Sequence, residues 1–473
     1  MMERKNGMRL PAVVLLAALA FSCFAPAALA TAEEPPEDLP AAVSAQDGAQ
    51  EETTLPGADA AQQDSAAGTG AANPHETIAT SVQENPRFAK PQLDIPCRNA
   101  ILISIDTGDI LYEKEPDAEV PMASITKIMT LLLTLEAVEA GKISMTDIVP
   151  ISEHAFNMGG SQIWLEPGEQ FTLDELIKAI CVCSANDAAV AVAEFVGGSE
   201  PVFAEMMNAR AAELGMTHTR FVNACGLDAE GHYSSARDVA AMSLALLRHP
   251  KILEYSGIWM DTLRGGETQL TNTNKMLKSY AGITGLKTGT TNGAGVCISA
   301  SAVRDGMGLL AVVLGSPSSK ERFESATAML DYGFATFEAG AFPQITGRAD
   351  TLRVTGGVEQ QVALDYTVPE KMLLKKGEGQ TLTAAVVLPE KLDAPVAAGT
   401  QVASVTLKAG EEILGEYPVT TRSEVPQMDW GTALSLLTKA LFTLYKIHNI
   451  GLTPAALSYI FSIYQTNGWR RFQ

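Results

Sequence analysis

Apolar residues recur along this chain in patterns that change character several times. Two short apolar runs, Ala100 to Ile105 and Ile110 to Tyr112, flank Asp106-Thr107-Gly108-Asp109, the pattern of a hairpin. A long run then follows Ser124-Ile125-Thr126-Lys127 and continues Ile128 to Leu135, predicting a helix that ends near Gly141. Thr172 and Glu175 form the ends of a capping box ahead of an apolar helix reaching Cys183. Helices are expected from Asp187 to Phe195, stopped by Gly197-Gly198, and from Pro201 to Leu214, closed by Gly215. A long loop carries Asn223 to Asp228 and His232 to Ala236. Strand-like runs at Val296–Ala302 and Gly308–Gly315 then surround Gly285-Leu-Lys-Thr-Gly289, and a helix from Glu321 to Tyr332 completes the unit. Strands at both ends with helices between predict an α+β domain over 88–341, a sheet flanked by a helical cluster.

The pattern shifts near Phe342. Short alternating runs at Thr351–Val354, Thr381–Leu388 and Gln401–Leu407, separated by Gly, Pro and Asp, predict a small all-β domain over 342–425. Over 426–473 the spacing turns helical again, with Leu434, Leu437, Leu441 and Leu444 on one face. Gly451 ends that helix and Thr453-Pro454 opens a second one holding Leu457, Ile460, Phe461 and Tyr464. No charged residue occurs from Ile447 to Trp469, and Arg470-Arg471 follow. An amphipathic segment lying on a membrane surface is the expectation, ahead of a transmembrane span or packing on the protein itself.

Composition adds the ends and the compartment. Arg4, Lys5 and Arg9 precede an apolar run from Ala12 to Phe24, and Ala28-Leu29-Ala30 supplies a cleavage site, so 1–30 reads as a secretory signal. The formal charge is −21, and about half of the excess lies in Thr31 to Pro86, which holds eleven Asp and Glu and neither Lys nor Arg. That tract is poor in large apolar side chains, and 31–87 reads as a disordered acidic linker. The remainder is mildly acidic without a basic stripe, which argues against a nucleic-acid partner. Beyond the signal there are five cysteines, an odd number with no zinc-site spacing, so neither a metal nor another cofactor is expected.

The candidate chemistry starts at Ser124 and Lys127. Three positions apart on a helix, the two share a face, and an amine kept neutral by burial can take the proton of a serine hydroxyl. Ser184-Ala185-Asn186 and Lys287-Thr288-Gly289 are each unremarkable alone, yet each occurs once and they follow the single Ser-x-x-Lys in a fixed order. Among other candidates, His232 reads as a hydrogen-bonded structural residue and Asp187 as a helix-start charge. Cys181 and Cys183 read as packing.

This trio is the signature of penicillin-binding proteins and class A β-lactamases. Over about 99–337 the chain resembles the low-molecular-mass penicillin-binding proteins, the D-alanyl-D-alanine carboxypeptidases. The resemblance rests on Pro121-Met-Ala-Ser-Ile-Thr-Lys127, Gly226-Leu-Asp-Ala, His232-Tyr-Ser-Ser-Ala236 and Gly285-Leu-Lys-Thr-Gly-Thr-Thr291, and continues more weakly through Ala394-Pro395-Val396. It implies a penicillin-binding/β-lactamase-like catalytic domain and a serine peptidase that trims the last D-alanine from peptidoglycan stem peptides. The implied roles follow what acyl transfer needs. Ser124 attacks the carbonyl, Lys127 is its base, and Ser184 relays a proton. Asn186 holds the substrate amide. Lys287, Thr288, Gly289, Thr290 and Thr291 line the carboxylate subsite, with Arg322 as a further charge. The N–H groups of Ser124 and Thr290 form the oxyanion hole. The resemblance also implies β-lactams as inhibitors and a membrane-anchoring tail at the outer face of the cell membrane. An endopeptidase cutting cross-links stays open. A class A β-lactamase is disfavoured because no Glu-x-x-Leu-Asn occurs and Ala185 stands where that family has Asp. A non-catalytic wall-binding module fits poorly with a full set of catalytic residues.

Overall fold

A computed structural model describes residues 78–448. The expectations for the signal, for most of the linker and for the second tail helix fall on 1–77 and 449–473, outside the described residues. The catalytic half is built on a five-stranded antiparallel sheet. In chain order its strands are β1 (Asn99–Ser104), β2 (Ile110–Lys114), β3 (Ile283–Thr291), β4 (Gly295–Arg304) and β5 (Met307–Ser316). Across the sheet the order is β2-β1-β5-β4-β3, so the first hairpin pairs with the last strand of the domain and closes it.

Both faces of the sheet are covered, and the side chains of β1 and β5 show why these strands read as nearly unbroken apolar runs. Side chains alternate across a strand. Ile101 and Ile103 of β1, with Leu310, Val312 and Leu314 of β5, enter one core. Their neighbours Ala100, Leu102, Leu309, Ala311 and Val313 enter a second core on the opposite face. The first core belongs to a helical cluster, α1 (Lys127–Glu139), α2 (Leu173–Val182), α3 (Asn186–Gly197), α4 (Glu200–Glu213) and α5 (Ala236–Leu247). The second is closed by α6 (Ser319–Thr336), through Ala326, Met329 and Leu330.

Helix α1 sits at the centre of the cluster. It packs against both α3 and α5, and ten of its residues, from Lys127 to Leu135 and Ala137, are buried. The capping box of α2 is present, with Thr172 Oγ1 accepting from Glu175 N and Glu175 accepting from Thr172 N at 2.9 Å. Helix α5 lies in a stretch with no element predicted from the sequence. Its N-cap is Ser235, whose hydroxyl accepts from Asp238 N.

Two boundaries move. Residues 78–87, expected within the linker, are packed on the catalytic domain. Ile78, Ala79 and Val82 lie against its core, Ala79 N donates to Ile105 O at 2.8 Å, and Gln83 exchanges backbone hydrogen bonds with Gly108 and Ile110. The acidic composition of the tract hid these few apolar residues. The strand Phe337–Ala341 also pairs outside the catalytic sheet, with Lys371–Lys375. The all-β part beyond it forms a seven-stranded sheet with its own core, which includes Val362, Leu364, Val405, Leu407 and Val419.

The tail starts as α7 (Trp430–His448), with Trp430, Leu434, Leu436 and Leu437 exposed. Among the described residues no helix is long and apolar enough to cross a membrane.

Candidate active site

Ser124 does not lie on an α-helix. It occupies a 3-10 turn, Ala123–Thr126, and α1 begins at Lys127. A 3-10 turn has three residues per turn, so positions i and i+3 eclipse. Ser124 and Lys127 therefore face each other directly, with Nζ to Oγ at 2.9 Å. Ala123 opens the turn at φ +51, a conformation sparsely populated by residues with a Cβ. One feature makes room for it and one bonds it. Gly226, at φ +88, lies so close that a Cβ on it would stand 2.0 Å from Ala123 O. Thr126 Oγ1 donates to the same carbonyl at 2.9 Å.

His232 orders that threonine. Its Nδ1 accepts from Val222 N at 3.0 Å, so Nε2 carries the hydrogen and donates to Thr126 Oγ1 at 2.8 Å. Burial lowers its pKa to about 4 and keeps it neutral. His232 is thus hydrogen-bonded and structural, in direct contact with the turn that presents Ser124.

Lys127 is completely buried. Besides Ser124 Oγ, its Nζ faces Asn186 Oδ1 at 2.6 Å and the Cys225 carbonyl at 2.6 Å. Those last two groups are acceptors only. A neutral amine has two hydrogens and one lone pair, so donating to both leaves the lone pair for the Ser124 hydroxyl. Burial is the main cause that lowers its pKa, to about 8, against opposing pulls from Cys225, Cys183 and Asp187.

Asn186 begins α3. Its Nδ2 donates to Gly159 O at 2.6 Å, and its backbone N donates to Ser161 O at 2.7 Å. Its Oδ1 is directed at Lys127, so in this structure Asn186 orients the base. Ser184, two residues earlier, is buried at φ +64, and its hydroxyl makes no hydrogen bond within the described residues. Asp187 is more than a charge at a helix start. Its buried carboxylate accepts from Ile163 N at 3.0 Å and Leu165 N at 3.1 Å and so ties down the loop that carries Gly159 and Ser161.

The Lys-Thr-Gly triplet lies within β3, the sheet edge nearest the turn. Gly289 permits the approach. A methyl on it would stand 2.8 Å from Ser124 N, so only glycine lets the strand lie against the serine backbone. Lys287 is buried, and its Nζ donates to Thr288 O at 2.9 Å. Burial first, then the charge of Lys127, lowers its pKa to about 7, with Arg322 adding to the repulsion. Thr288 Oγ1 pairs with Thr273 Oγ1 at 2.6 Å, and Thr290 Oγ1 donates to Gly289 O at 2.8 Å. Thr291 Oγ1 donates to Asp228 at 2.7 Å.

Arg322 lies on α6 and is buried against the strands. Its Nη1 donates to Cys297 O at 3.3 Å and Gly289 O at 3.5 Å, and Nη2 donates to Ser319 Oγ at 3.0 Å. Burial lowers its pKa to about 10. Bound to the carbonyl of Gly289, it supports the strand that carries the triplet.

Three parts of the site were not read from the sequence. The Cys225 carbonyl is a backbone group and has no side-chain signal. The anchoring of Asp187 and the His232–Thr126 relay both depend on contacts distant along the chain. Cys181, Cys225 and Cys297 are buried, Cys97 and Cys183 half-buried, and all five are unpaired thiols.

Comparison with known proteins points to one family. Residues 85–318 match the family described as D-alanyl-D-alanine carboxypeptidase, and residues 345–427 match the C-terminal domain of penicillin-binding protein 5. The D-alanyl-D-alanine carboxypeptidase DacF of Bacillus subtilis is 40% identical over 341 residues, 71% of this chain and 88% of its own length. Among solved structures, penicillin-binding protein 5 of Haemophilus influenzae aligns with a TM-score of 0.64 at 29% identity, over 72% of this chain and all of its own. A penicillin-binding protein 3 from Streptococcus pneumoniae aligns at 0.56 and 30% identity, over 70% of this chain and all of its own. This chain belongs to the D-alanyl-D-alanine carboxypeptidase family of penicillin-binding proteins.

Proposed function

We propose that this protein removes the terminal D-alanine from peptidoglycan pentapeptides by way of an acyl-enzyme on Ser124, outside the cytoplasm. The observation that carries the reading is the bonding of Lys127: its buried Nζ lies 2.9 Å from Ser124 Oγ and faces two further acceptors, so that once the amine is neutral those two take its hydrogens and its lone pair is turned to the serine hydroxyl. In the first step the Ser124 proton passes to Lys127 Nζ as Oγ bonds to the carbonyl carbon of the penultimate D-alanine. The negative charge that develops on the carbonyl oxygen is met by the N–H groups of Ser124 and Thr290. Losing one such donor costs on the order of 3 kcal/mol. The carbon–nitrogen bond then breaks, and the leaving amine takes a proton through the Ser184 hydroxyl. Water hydrolyses the ester by the same route. Lys287 and the threonines of its strand hold the terminal carboxylate, and Arg322 acts through Gly289. A β-lactam enters by the same attack and remains as a stable ester.

The test uses the full chain and a disaccharide pentapeptide, with products read by mass. Loss of a single alanine is the expected result. Cleavage of cross-linked dimers alone would assign an endopeptidase, and fast turnover of penicillin would assign a β-lactamase.

The same reading places the C-terminal segment on the outer surface of the membrane. The exposed Trp430, Leu434, Leu436 and Leu437 of α7 supply apolar area for an interfacial helix. The full chain is expected to sediment with vesicles containing anionic lipid, and a chain ending at Asp429 is expected to stay in solution. Equal sedimentation of both would remove the tail from this role.

A further inference from the structure

The loop that backs Asn186 carries a feature that acyl transfer does not use. Trp164 is 73% exposed and stands at φ +59, a conformation that costs a bulky side chain most. Its backbone conformation has a clear cause. The Asp187 carboxylate sits in a nest of N–H groups from Ile163 and Leu165, and the N–H of Trp164 also faces it. From the other side Arg264 donates to Ile163 O at 2.8 Å and Trp164 O at 3.0 Å, and grips Glu169 at 2.9 and 2.8 Å. The loop is therefore held rigidly by a buried carboxylate and a guanidinium.

That explains the turn but not the residue. A glycine or asparagine would take this conformation at lower cost. The indole gains no burial in return, since it projects into solvent. A large apolar ring at a strained and rigidly mounted position is the arrangement of a contact residue.

We propose that the open face of Trp164 stacks on a sugar ring of the peptidoglycan glycan, gripping the substrate at the far end of its stem peptide. This rests on the carboxypeptidase reading above. Three residues of chain, at most about 10 Å, separate Ser161 from Trp164, and Asn186 joins Ser161 to Lys127 directly. Four stem residues lie between the scissile bond and the sugar, and they span up to about 14 Å when extended. With the 2.9, 2.6 and 2.7 Å contacts from Ser124 through Lys127 and Asn186 to Ser161 added, Trp164 lies within at most about 25 Å of the nucleophile, a range of the same order as the stem.

The surroundings favour a neutral sugar over the stem itself. The exposed Ser161 and Glu166 offer a hydroxyl and a carboxylate along the same loop, suited to sugar hydroxyl and acetamido groups, while the Gln162 amide is committed to Met158 O. The cation bound to this loop, Arg264, is committed to Glu169 and to backbone carbonyls, and so is not available for a stem carboxylate.

The experiment compares kcat/KM for the free pentapeptide and for the same peptide bearing its disaccharide. The wild type is expected to prefer the sugar-bearing substrate, and in Trp164→Ala the ratio of the two is expected to fall about tenfold. Trp164→Tyr keeps most of the preference. Trp164→Gly relieves the backbone strain, so it is expected to melt no lower than the wild type while losing the preference. Equal losses on both substrates, an unchanged ratio, or a parallel loss of penicillin labelling would each overturn the sugar contact. If the wild type releases no D-alanine from either substrate, the carboxypeptidase reading fails instead.

Discussion

Exchange of Lys127 for methionine is expected to slow acylation of Ser124 by penicillin by about 10²–10⁴-fold, the usual worth of a positioned general base. Methionine matches the apolar stem and removes only the amine. Among the described residues the serine hydroxyl then has no hydrogen-bond partner left to take its proton, because Nζ at 2.9 Å is the contact the geometry provides. Stability responds to two opposing terms. Asn186 Oδ1 and the Cys225 carbonyl lose their donor in a dry site, at about 1–3 kcal/mol each. Against this, the folded chain no longer holds an amine whose charged form is disfavoured by burial. A modest drop in melting temperature is the net expectation, with the fold retained. Stopped-flow labelling with a fluorescent penicillin gives the rate, and calorimetry checks the fold. Ser124→Ala sets the floor, since it leaves no oxygen to acylate and is expected to show no covalent adduct at any time. A Lys127→Met protein that acylates at the wild-type rate would exclude Lys127 as the base.

Much of the fold was legible because its signals are local. The alternation of β1 and β5 between two cores produced unbroken apolar runs that read as buried strands. The Thr172–Glu175 capping box marked the start of α2 to the residue. Where the sequence misled, a long-range contact had overruled a local rule. Ser-x-x-Lys reads as an ordinary helix start, yet the turn is 3-10, with Ala123 at positive φ, its carbonyl bonded by the Thr126 hydroxyl and given room by Gly226. Lys-Thr-Gly taken alone is unremarkable, and no strand is assigned to Gly285–Gly289 from the sequence. The segment is a sheet edge because Gly289 must pass against Ser124 N. Helix α5 escaped notice although Ser235 caps it, because the motif His232-Tyr-Ser-Ser-Ala236 drew the segment into a loop reading. Arg322, expected as a further charge beside the Lys-Thr-Gly strand, reaches Gly289 O and Cys297 O from α6, a contact that depends on how α6 crosses the sheet.

Exchange of Lys287 for methionine is expected to lower the saturating acylation rate at pH 7 by about tenfold or more, and to let it recover as the pH is raised. The argument turns on the repulsion between two buried amines. Burial is the larger cause for each, holding Lys127 near 8 and Lys287 near 7, and the charge of Lys127 presses further on Lys287. Such a repulsion is reciprocal, so a charged Lys287 must equally favour the neutral form of Lys127. Binding of a carboxylate at Lys287 stabilises its charged form. Substrate binding thus drives the proton off Lys127 at the moment its lone pair is needed. The sign follows directly. A base works when neutral, so the rate rises with pH through the pKa of Lys127, and below that pKa each pH unit costs tenfold. Removing the charge at 287 removes the repulsion, and the pKa of Lys127 moves up towards the ordinary lysine value. The rise in rate therefore shifts to more alkaline pH. The ratio of mutant to wild-type acylation rate, measured at saturating penicillin from pH 6 to 10, is expected to be lowest near neutrality and to climb above pH 8. A ratio that stays flat across that range would confine Lys287 to holding the carboxylate, and Lys127 would then owe its neutral form to burial alone.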